Sequence, residues 1–524
     1  ANDVKVLGNM LDRLSEKNRW FRDFTLDALN MAVRETIACF PVYRTYITPQ
    51  GAAPSRPPLE HGAAGRTPLP GQVSEEDRAV IERAVAAAKR RNPAIEESVF
   101  NFLRDILLFR FPEGIDDETR AEHVHFVLKF QQSTGPIMAK GLEDTVFYIF
   151  NRLAALNEVG GEPQQFGISV ETFHADLAHY QRHWPLTMLA TSTHDTKRSE
   201  DVRARLVAIS EIPDLWRSAI QRWRTTNRKS KRKIEDAEAP DANEEYLLYQ
   251  TLLGTWPVDA AGKAAPEASE EYVGRIQAYM AKALKEAKLN TSWIQPNEQW
   301  DSAVQEFVAR ILERDAKNRF VPAFAPVAEE IARLGAINSL SQAVLKMTAP
   351  GVPDIYQGNE IWDYSLVDPD NRRPVDYGRR RDMLQALDKT TPEDLLHKWP
   401  DGRIKLFATQ KLLRFRREHA DLFLKGSYVP LRVSGAHADS CLAFAREHGA
   451  AWILTIVPRL SSRVGFPPVG ERWQDTAVEL PESAAGAAAR DLFTGRELRL
   501  NNGNSLAVSE ALAMLPFAVY GSAR

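Results

Sequence analysis

The amino-acid sequence predicts an α/β protein in which helical blocks surround a few short strands and a separate β domain follows. Three observations support this fold class. Apolar residues recur at a spacing of three and four through much of residues 1–132 and 199–342, as on one face of a helix. Residues 135–139 and 189–192 are small, β-branched or apolar and run into polar stretches, which is typical of short strands that end in loops. The last ~100 residues alternate short apolar runs with turns, which favours antiparallel strands.

The composition is that of an ordinary globular protein. A length of 524 residues suggests roughly two to four domains, and 44% hydrophobic with 26% charged residues argues against disorder. The net charge of −3 gives no bulk attraction to nucleic acid or to an anionic membrane. Cys39 and Cys441 lie far apart and predict no disulfide framework. Because the chain has no signal peptide and no apolar run of ~18 residues, we expect a cytoplasmic protein.

Helices are predicted throughout the first part of the chain. Residues 15–37, 101–109 and 118–132 carry apolar side chains at helical spacing. Residues 74–77, Ser-Glu-Glu-Asp, are the N-terminal signal of a further helix. Residues 50–72 are rich in Pro, Gly and Ala, which predicts a surface excursion.

A second helical block, residues 199–342, is too long for a single crossover helix, so we expect an inserted domain. Residues 226–240 interrupt it with basic and then acidic side chains. This run is short and lacks aromatic residues, so a solvated loop is favoured over a nucleic-acid patch. The final domain is predicted to be an antiparallel β-sandwich. Its strands are expected at 442–446, 451–458, 477–480, 496–500 and 514–520.

The most informative stretch is residues 189–205, Leu-Ala-Thr-Ser-Thr-His-Asp-Thr-Lys-Arg-Ser-Glu-Asp-Val-Arg-Ala-Arg. A short buried strand is expected to run here into a polar loop and the start of a helix. His194 and Asp195 follow that strand, and the active sites of barrels of alternating strands and helices lie at strand ends. Such a pair suits a hydroxyl-rich ligand or a developing positive charge. The simpler interpretation is that Thr193 and Asp195 cap the next helix.

This stretch resembles the seventh-strand motif of the maltooligosyltrehalose synthases, a branch of the α-amylase family. Four other stretches are similar to the same family, in the family's order. They are 40–46, Phe-Pro-Val-Tyr-Arg-Thr-Tyr; 135–160, with Gly-Pro-Ile-Met-Ala-Lys-Gly-Leu-Glu-Asp-Thr and Leu-Asn-Glu-Val-Gly; 287–297, with Ala-Lys-Leu-Asn-Thr-Ser-Trp and Pro-Asn; and 348–360, Thr-Ala-Pro-Gly-Val-Pro-Asp-Ile-Tyr-Gln-Gly-Asn-Glu. The resemblance extends from about residue 22 to about residue 428.

The resemblance implies the C-terminal part of a (β/α)8 TIM barrel with large helical insertions, followed by the C-terminal β-sandwich. The implied domains are a helical region before barrel strand six, strands six and seven with sugar-binding loops, a helical insertion, strand eight with closing helices, and the β domain. They cover residues 1–132, 133–198, 199–342, 343–425 and 426–524.

Two catalytic groups of the family have no counterpart in this sequence. Retaining enzymes that act on glycosidic bonds need a nucleophile and a general acid about 5 Å apart. In the α-amylase family these two carboxyl groups lie on strands four and five, and no stretch of this chain has either pattern. We therefore expect a portion of a longer enzyme, inactive alone, that holds one of three catalytic carboxylates.

By the resemblance, Asp195 is the third carboxylate, which binds the 2- and 3-hydroxyls of the transferred sugar and stabilises the transition state. His194 is implied to donate a hydrogen bond beside it, and Lys197 to contact the acceptor glucose. The alternative for Lys197 and Arg198 is an ion pair with Glu200 or Asp201. The substrate-binding candidates are Lys197, Arg198, Lys140, Glu143, Asp144, Tyr148, Asn151, Arg152 and Tyr356. An internal ion-pair network remains the alternative for residues 140–144, and an architectural role for Tyr356.

The implied activity of the intact enzyme is intramolecular transglycosylation. It would convert the reducing-end α-1,4 bond of a maltooligosaccharide into an α,α-1,1 bond through a covalent glycosyl-enzyme. The alternatives are a non-catalytic glucan-binding protein derived from this enzyme and an α-amylase-like hydrolase. We expect no cofactor and no metal, since His123 and His125 are two residues apart on a helix and splay apart. The expected partners are a glucan and the remaining part of the barrel, not nucleic acid or a membrane.

Overall fold

A computed structural model describes residues 2–48, 73–111, 114–481, 484, 486–499 and 505–522. The surface excursion predicted at 50–72 lies outside the described residues. The chain divides into two compact units, Ala1–Val146 and Phe147–Arg524.

The first unit is helical and packs around one hydrophobic cluster. Its helices are α1 (Asn2–Glu16), α2 (Leu26–Ala38), α3 (Glu75–Arg91), α4 (Glu97–Leu107) and α5 (Asp117–Met138), with a π-helix at Ala139–Val146. Leu7, Leu29, Ile81, Phe100 and Phe126, one from each α-helix, are fully buried in this cluster. Ser74 caps α3, where its Oγ accepts the N–H of Asp77 at 3.0 Å, as the sequence predicts.

The single helix predicted over 15–37 is wrong. The helix α1 ends at Glu16, and α2 begins only after Thr25, whose Oγ1 accepts the N–H of Ala28 at 3.2 Å. The intervening turn is held by aromatic packing, because Phe21 and Phe24 lie with ring centroids 4.6 Å and 5.8 Å from Phe102. The two phenylalanines therefore pack in a turn rather than along one helix, and a Thr cap separates the two helices.

The strand predicted at 135–139 is also wrong. Residues 135–138 continue α5, and Ala139 begins the π-helix. Ile137 packs against the same cluster as Phe126 and Phe130, so its apolar side chain extends the helical stripe rather than starting a strand. Pro136 lies inside the helix, where it removes one backbone hydrogen bond, and the wider turns of the π-helix follow.

The second unit begins with helices around a long central one. Its helices are α6 (Phe147–Ile149), α7 (Val170–His183), α8 (Glu200–Val207), α9 (Pro213–Asn227), α10 (Ala242–Thr255), α11 (Glu270–Ala287), α12 (Glu298–Ile311), α13 (Phe320–Thr348), α14 (Tyr377–Ala386), α15 (Pro392–His397), α16 (Arg403–Glu418), α17 (Ala420–Leu424) and α18 (Val508–Ala511). The 29-residue α13 packs against α8, α9, α10 and α16. One hydrophobic cluster contains residues from each helix from α8 through α13. Trp223, Leu248 and Phe307 are fully buried in it.

Short strands accompany these helices. They are β1 (Met188–Leu189), β2 (Arg232–Ile234), β3 (Ala237–Ala239) and β4 (Val352–Pro353). The strands β1 and β4 pair in parallel, Met188 opposite Val352. The expectation that the first of them is buried is wrong, since Met188 is 70% exposed. The loop predicted at 226–240 instead contains the antiparallel hairpin β2–β3, which turns at Glu235 with a positive φ.

The β domain contains two antiparallel sheets. Its strands are β5 (Ser427–Pro430), β6 (Val433–Ser434), β7 (Cys441–His448), β8 (Ala451–Pro458), β9 (Ala477–Glu479), β10 (Ala488–Asp491), β11 (Glu497–Arg499), β12 (Ser505–Ala507) and β13 (Ala518–Ser522). The strand orders are β11-β10-β13-β8-β7-β5 and β12-β9-β6. Leu454 of the larger sheet and Val478 of the smaller belong to one hydrophobic cluster. The strand predicted at 514–520 starts later than expected, and residue 500 lies outside the described residues.

Arg446 of β7 joins this domain to the helices before it. The side chain is 1% exposed, and its guanidinium donates to the carbonyl oxygens of Thr348, Phe423, Gly426 and Ser427 at 3.0–3.3 Å. Thr348 is the last residue of α13, so the positive charge also meets the negative end of that helix.

Candidate functional site

The candidate site is built on the segment between β1 and α8, which we call the 193–198 loop. Ser199 caps α8, with its Oγ accepting the N–H of Val202 at 3.4 Å. Thr193 Oγ1 accepts the N–H of Asp195 at 3.2 Å, which closes a turn within the loop. The interpretation of Thr193 and Asp195 as helix caps is therefore wrong, because both precede the true cap.

Only two side chains of the 193–198 loop are largely exposed on the surface of this unit. His194 and Asp195 are exposed, whereas Thr196, Lys197 and Arg198 are 6%, 3% and 1% exposed. Neither exposed side chain makes a hydrogen bond within the part of the chain that the structure describes. The imidazole and the carboxylate are therefore exposed, and their contact with a ligand stays a prediction.

Glu158 holds the C-terminal end of this loop. Its carboxylate accepts the N–H of Lys197 at 2.8 Å on Oε1 and the N–H of Arg198 at 3.2 Å on Oε2. The N–H of Val159 donates to Oε1 at 2.9 Å, and the guanidinium Nε of Arg203 lies 3.6 Å from Oε2. Glu158 is 8% exposed, so these groups replace water around the carboxylate. It lies on the wall of a cavity of about 520 Å³.

Asn371 holds the N-terminal end of the loop. Its side-chain amide donates to the carbonyl oxygens of His194 at 3.1 Å and Thr193 at 3.4 Å. The hydroxyl of Tyr356 donates to the backbone oxygen of Asn371 at 3.2 Å. Tyr356, a predicted substrate contact, is thereby placed in the support of the loop, in line with its architectural alternative.

Arg198 is an internal support of the site. Its guanidinium donates to the carbonyl oxygen of Ala154 at 3.2 Å and to the hydroxyl of Tyr279 at 2.8 Å. Its 1% exposure places this side chain inside the unit, and its contact with a sugar stays a prediction. The alternative, an ion pair of Arg198 with Glu200 or Asp201, is wrong, because both carboxylates pair with lysines.

Those carboxylates form a buried ionic network directly after the loop. Lys405 Nζ lies 2.7 Å from Glu200 Oε1 and 2.9 Å from Asp201 Oδ2. Lys346 Nζ lies 3.5 Å from Glu200 and donates to Thr191 Oγ1 at 2.6 Å. Burial alone would raise the pKa of Glu200, but the ammonium groups of Lys405 and Lys346 outweigh burial and lower that pKa to about 2. The network therefore ties Thr191, two residues after β1, to α8, α13 and α16.

The predicted contacts in α6 and directly after it divide into buried and exposed residues. Tyr148 and Asn151 are each 3% exposed, and the Asn151 amide donates to the Tyr148 carbonyl at 3.2 Å. Gln250 holds the same segment, because its amide group donates to Asn151 O and accepts from Ala154 N at 2.8 Å and 2.7 Å. Arg152 is exposed. Of these three candidates, only Arg152 has an exposed side chain.

The remaining candidates lie in the first unit, on the π-helix. Lys140 and Asp144 form an ion pair one turn apart, and Lys140 is 79% exposed. Glu143 is 4% exposed and accepts the hydroxyl of Tyr43. Lys140 and Asp144 are thus ion-paired with each other and Glu143 accepts from a tyrosine, and the role of these residues toward a sugar stays a prediction.

The 287–297 motif encloses a buried carboxylate in the helical block. Glu244 accepts hydrogen bonds from the Asn290 amide at 2.9 Å and from the Trp300 indole at 3.1 Å and 3.2 Å. Burial, and then the charge of Asp241, raise the pKa of Glu244 to about 7. The motif leaves Trp293 58% exposed at the surface of the unit, whereas Trp300 is buried.

Sequence reasoning missed Glu158 and Asn371 as site residues. Glu158 stands in the Leu-Asn-Glu-Val-Gly stretch that carries part of the family resemblance, and a glutamate among apolar residues was a usable signal. Asn371 lies in a polar segment with no distinguishing pattern. Within the described ranges, no group of three His, Cys, Asp or Glu side chains could hold a metal ion. No helix there is both long and apolar enough to cross a membrane.

The chain is similar to proteins described as putative maltooligosyl trehalose synthases of two Mycobacterium tuberculosis strains. Each is 39% identical over 364 residues, which are 68% of this chain and 41% of the relative. The chain thus spans about two fifths of the length of these curated relatives. No protein-family model matches it.

Solved structures agree with the sequence relatives. The maltooligosyltrehalose synthase from Arthrobacter ramosus aligns with 99% of this chain at a TM-score of 0.73 and 29% identity, covering 58% of that chain. A hypothetical maltooligosyl trehalose synthase of Sulfolobus tokodaii aligns with 98% of this chain at a TM-score of 0.65 and 27% identity, again over 58% of its own length.

Proposed function

The chain is a homologue of the maltooligosyl trehalose synthases, and from this premise we propose that it carries the third-carboxylate side of a synthase active site. The observation that supports this most is the 193–198 loop. Buried side chains hold its backbone from two directions, while His194 and Asp195 stay exposed without partners among the described residues. A site that must act on a bound sugar needs such preorganised, unoccupied polar groups.

Asp195 has the role of the transition-state stabiliser. Its carboxylate accepts hydrogen bonds from the 2- and 3-hydroxyls of the transferred glucosyl unit. These bonds strengthen as the anomeric carbon gains positive charge, and they contribute several kcal/mol to glycoside chemistry. His194 donates a neighbouring hydrogen bond to the same sugar.

The acceptor side of the proposed site contains Lys197. Lys197 is nearly buried beside Asp195, so its ammonium group can serve one defined position rather than a range of surface positions. The exposed side chain of Arg152 provides a further hydrogen-bond donor to a glucan. The acceptor glucose would present its own 1-hydroxyl to the glycosyl group.

In the complete reaction, the reducing-end α-1,4 bond of a maltooligosaccharide becomes an α,α-1,1 bond with retention. A retaining reaction also requires a nucleophile and a general acid. No residue of this chain has either family pattern, so we assign those two roles to residues outside this chain. The parallel pair β1–β4 supports a barrel in which these are strands seven and eight, and the two sheets that share one cluster support a terminal β-sandwich.

Incubation of the chain with maltopentaose tests this assignment. We expect binding, measured by calorimetry, that weakens in Asp195→Asn, and no loss of reducing ends. Loss of reducing ends without glucose would show that the chain contains its own nucleophile and acid. Release of glucose would instead indicate a hydrolase. Equal affinity of the wild type and Asp195→Asn for maltopentaose would remove Asp195 from the site.

A further inference from the structure

We propose that Glu158 is a positioning residue. Its carboxylate binds backbone amides of the 193–198 loop and thereby fixes the position of that loop. The structure shows its carboxylate bound to backbone amides on two sides, those of Lys197 and Arg198 in the loop and that of Val159 in its own segment. Glu158 itself need not touch the sugar to act in this way.

Backbone amides of successive residues form a concave donor surface that suits an anion. Lys197 and Arg198 are buried, so water cannot bind their two N–H groups. Without an acceptor from the protein, both groups would lack a hydrogen bond. The two oxygens of Glu158 satisfy them at 2.8 Å and 3.2 Å. The loop position is thus set by a carboxylate 39 residues earlier in the chain rather than by the side chains that face the ligand.

Arg203 supplies the balancing charge. Its guanidinium Nε lies 3.6 Å from Glu158 Oε2, and its Nη2 donates to the carbonyl of Thr191, just before the loop. Glu158 and Arg203 therefore hold both the loop and the residue that leads into it. Because Asp195 lies only two residues before Lys197, a shift of the amide at 197 would move the Asp195 carboxylate as well.

Hydrogen exchange of the Lys197 and Arg198 amides tests this role in the whole chain. In Glu158→Gln the amide group offers one oxygen and presents N–H groups in place of the other, so it cannot accept both loop amides. We expect the peptide over 193–199 to exchange at least about 10-fold faster, while exchange in α13 stays unchanged. The matched control is Glu162→Gln, an exposed glutamate on the wall of the same cavity, which should leave both regions unchanged.

Unchanged exchange over 193–199 in Glu158→Gln overturns the proposal. If Glu158→Gln accelerates exchange throughout the chain, Glu158→Asp replaces it, because the shorter side chain keeps the charge but withdraws both oxygens from the loop. In that variant, faster exchange confined to 193–199 supports the role, and a rate equal to wild type overturns it.

Maltopentaose affinity provides the second readout and rests on the proposed function. We expect Glu158→Gln to weaken binding at least about 10-fold although α13 keeps its protection. If the wild-type chain binds no maltopentaose while loop exchange still accelerates in the variant, the proposed function fails and the positioning role stands. If the wild type binds and Glu158→Gln binds equally well with a loosened loop, the role of Glu158 in the site is overturned.

Discussion

The ammonium group of Lys405 lies 2.9 Å from the Oδ2 atom of Asp201, and each of these side chains is 1% exposed. The pair anchors α16 to the start of α8, immediately after the loop that carries His194 and Asp195. Removing one partner of a buried pair leaves an uncompensated charge in the interior.

Lys405→Met should therefore destabilise the second unit strongly. We expect a loss of about 3–5 kcal/mol, because the buried carboxylates of Glu200 and Asp201 would both lose the ammonium group that they share. Calorimetric melting of the chain measures the effect. The matched control is Lys425→Met, which breaks an ion pair with Asp421 whose side chains are 64% and 62% exposed. Its cost should stay below about 0.5 kcal/mol, and equal losses in the two variants would contradict the prediction.

The stability of the helical block should fall as the pH rises. Burial raises the pKa of Glu244 from its ordinary value of 4.5 to about 7, so the folded state binds this proton more tightly than the unfolded chain. The contribution to the unfolding free energy is full below pH 4.5 and declines by up to ~3 kcal/mol as the pH rises to about 7. Melting curves of wild type and Glu244→Gln between pH 4 and about 8 measure this. Parallel pH profiles for the two proteins would refute it.

Asp195→Asn should separate ligand binding from folding. The carboxylate accepts no hydrogen bond within the described ranges, so we expect a stability change within about 0.5 kcal/mol. Lost transition-state hydrogen bonds should cost roughly 10³-fold in turnover once the nucleophile and general acid are present. Asp236→Asn, at a fully exposed position in the β2–β3 turn, is the control for both measurements. Near-normal turnover in Asp195→Asn would contradict the assignment.

Arg198→Lys should lower stability in the absence of any sugar. A lysine keeps the charge but cannot reach the Ala154 carbonyl and the Tyr279 hydroxyl together, so we expect a loss of about 1–3 kcal/mol. The melting temperature measured without and with maltopentaose distinguishes support from contact. An unchanged melting temperature without sugar, combined with weaker binding, would return Arg198 to the substrate-binding set. Arg217→Lys, on the exposed face of α9, should change neither quantity.

Local signals in the sequence predict local structure well in this protein. The Ser74 cap and the apolar stripe after it mark α3, and the strand predicted at 451–458 coincides with β8. In both cases the information lies within a few residues, as a capping oxygen or an unbroken apolar run between turns. His194 and Asp195 are candidates from a local signal of the same kind, a polar pair after a short apolar run, and their role stays a prediction.

What the sequence does not predict are contacts between distant residues. Asn371 and His194 are 177 positions apart, and Glu158 and Lys197 are 39 apart, with no periodicity that links them. The burial of Arg198 has the same origin, since its partners Ala154 and Tyr279 come from separate elements. The strand predicted at 135–139 is wrong for a different reason. A short apolar run fits a strand or the end of a buried helix equally well.

Arg446 has a consequence for cleavage of the chain. Its guanidinium holds carbonyl oxygens on both sides of Lys425, those of Phe423 before it and of Gly426 and Ser427 after it. Lys425 has a 64% exposed side chain, which trypsin can recognise once this segment opens locally. A cut there would leave both new ends bound to one buried cation, so the two fragments should migrate together until a denaturant separates them.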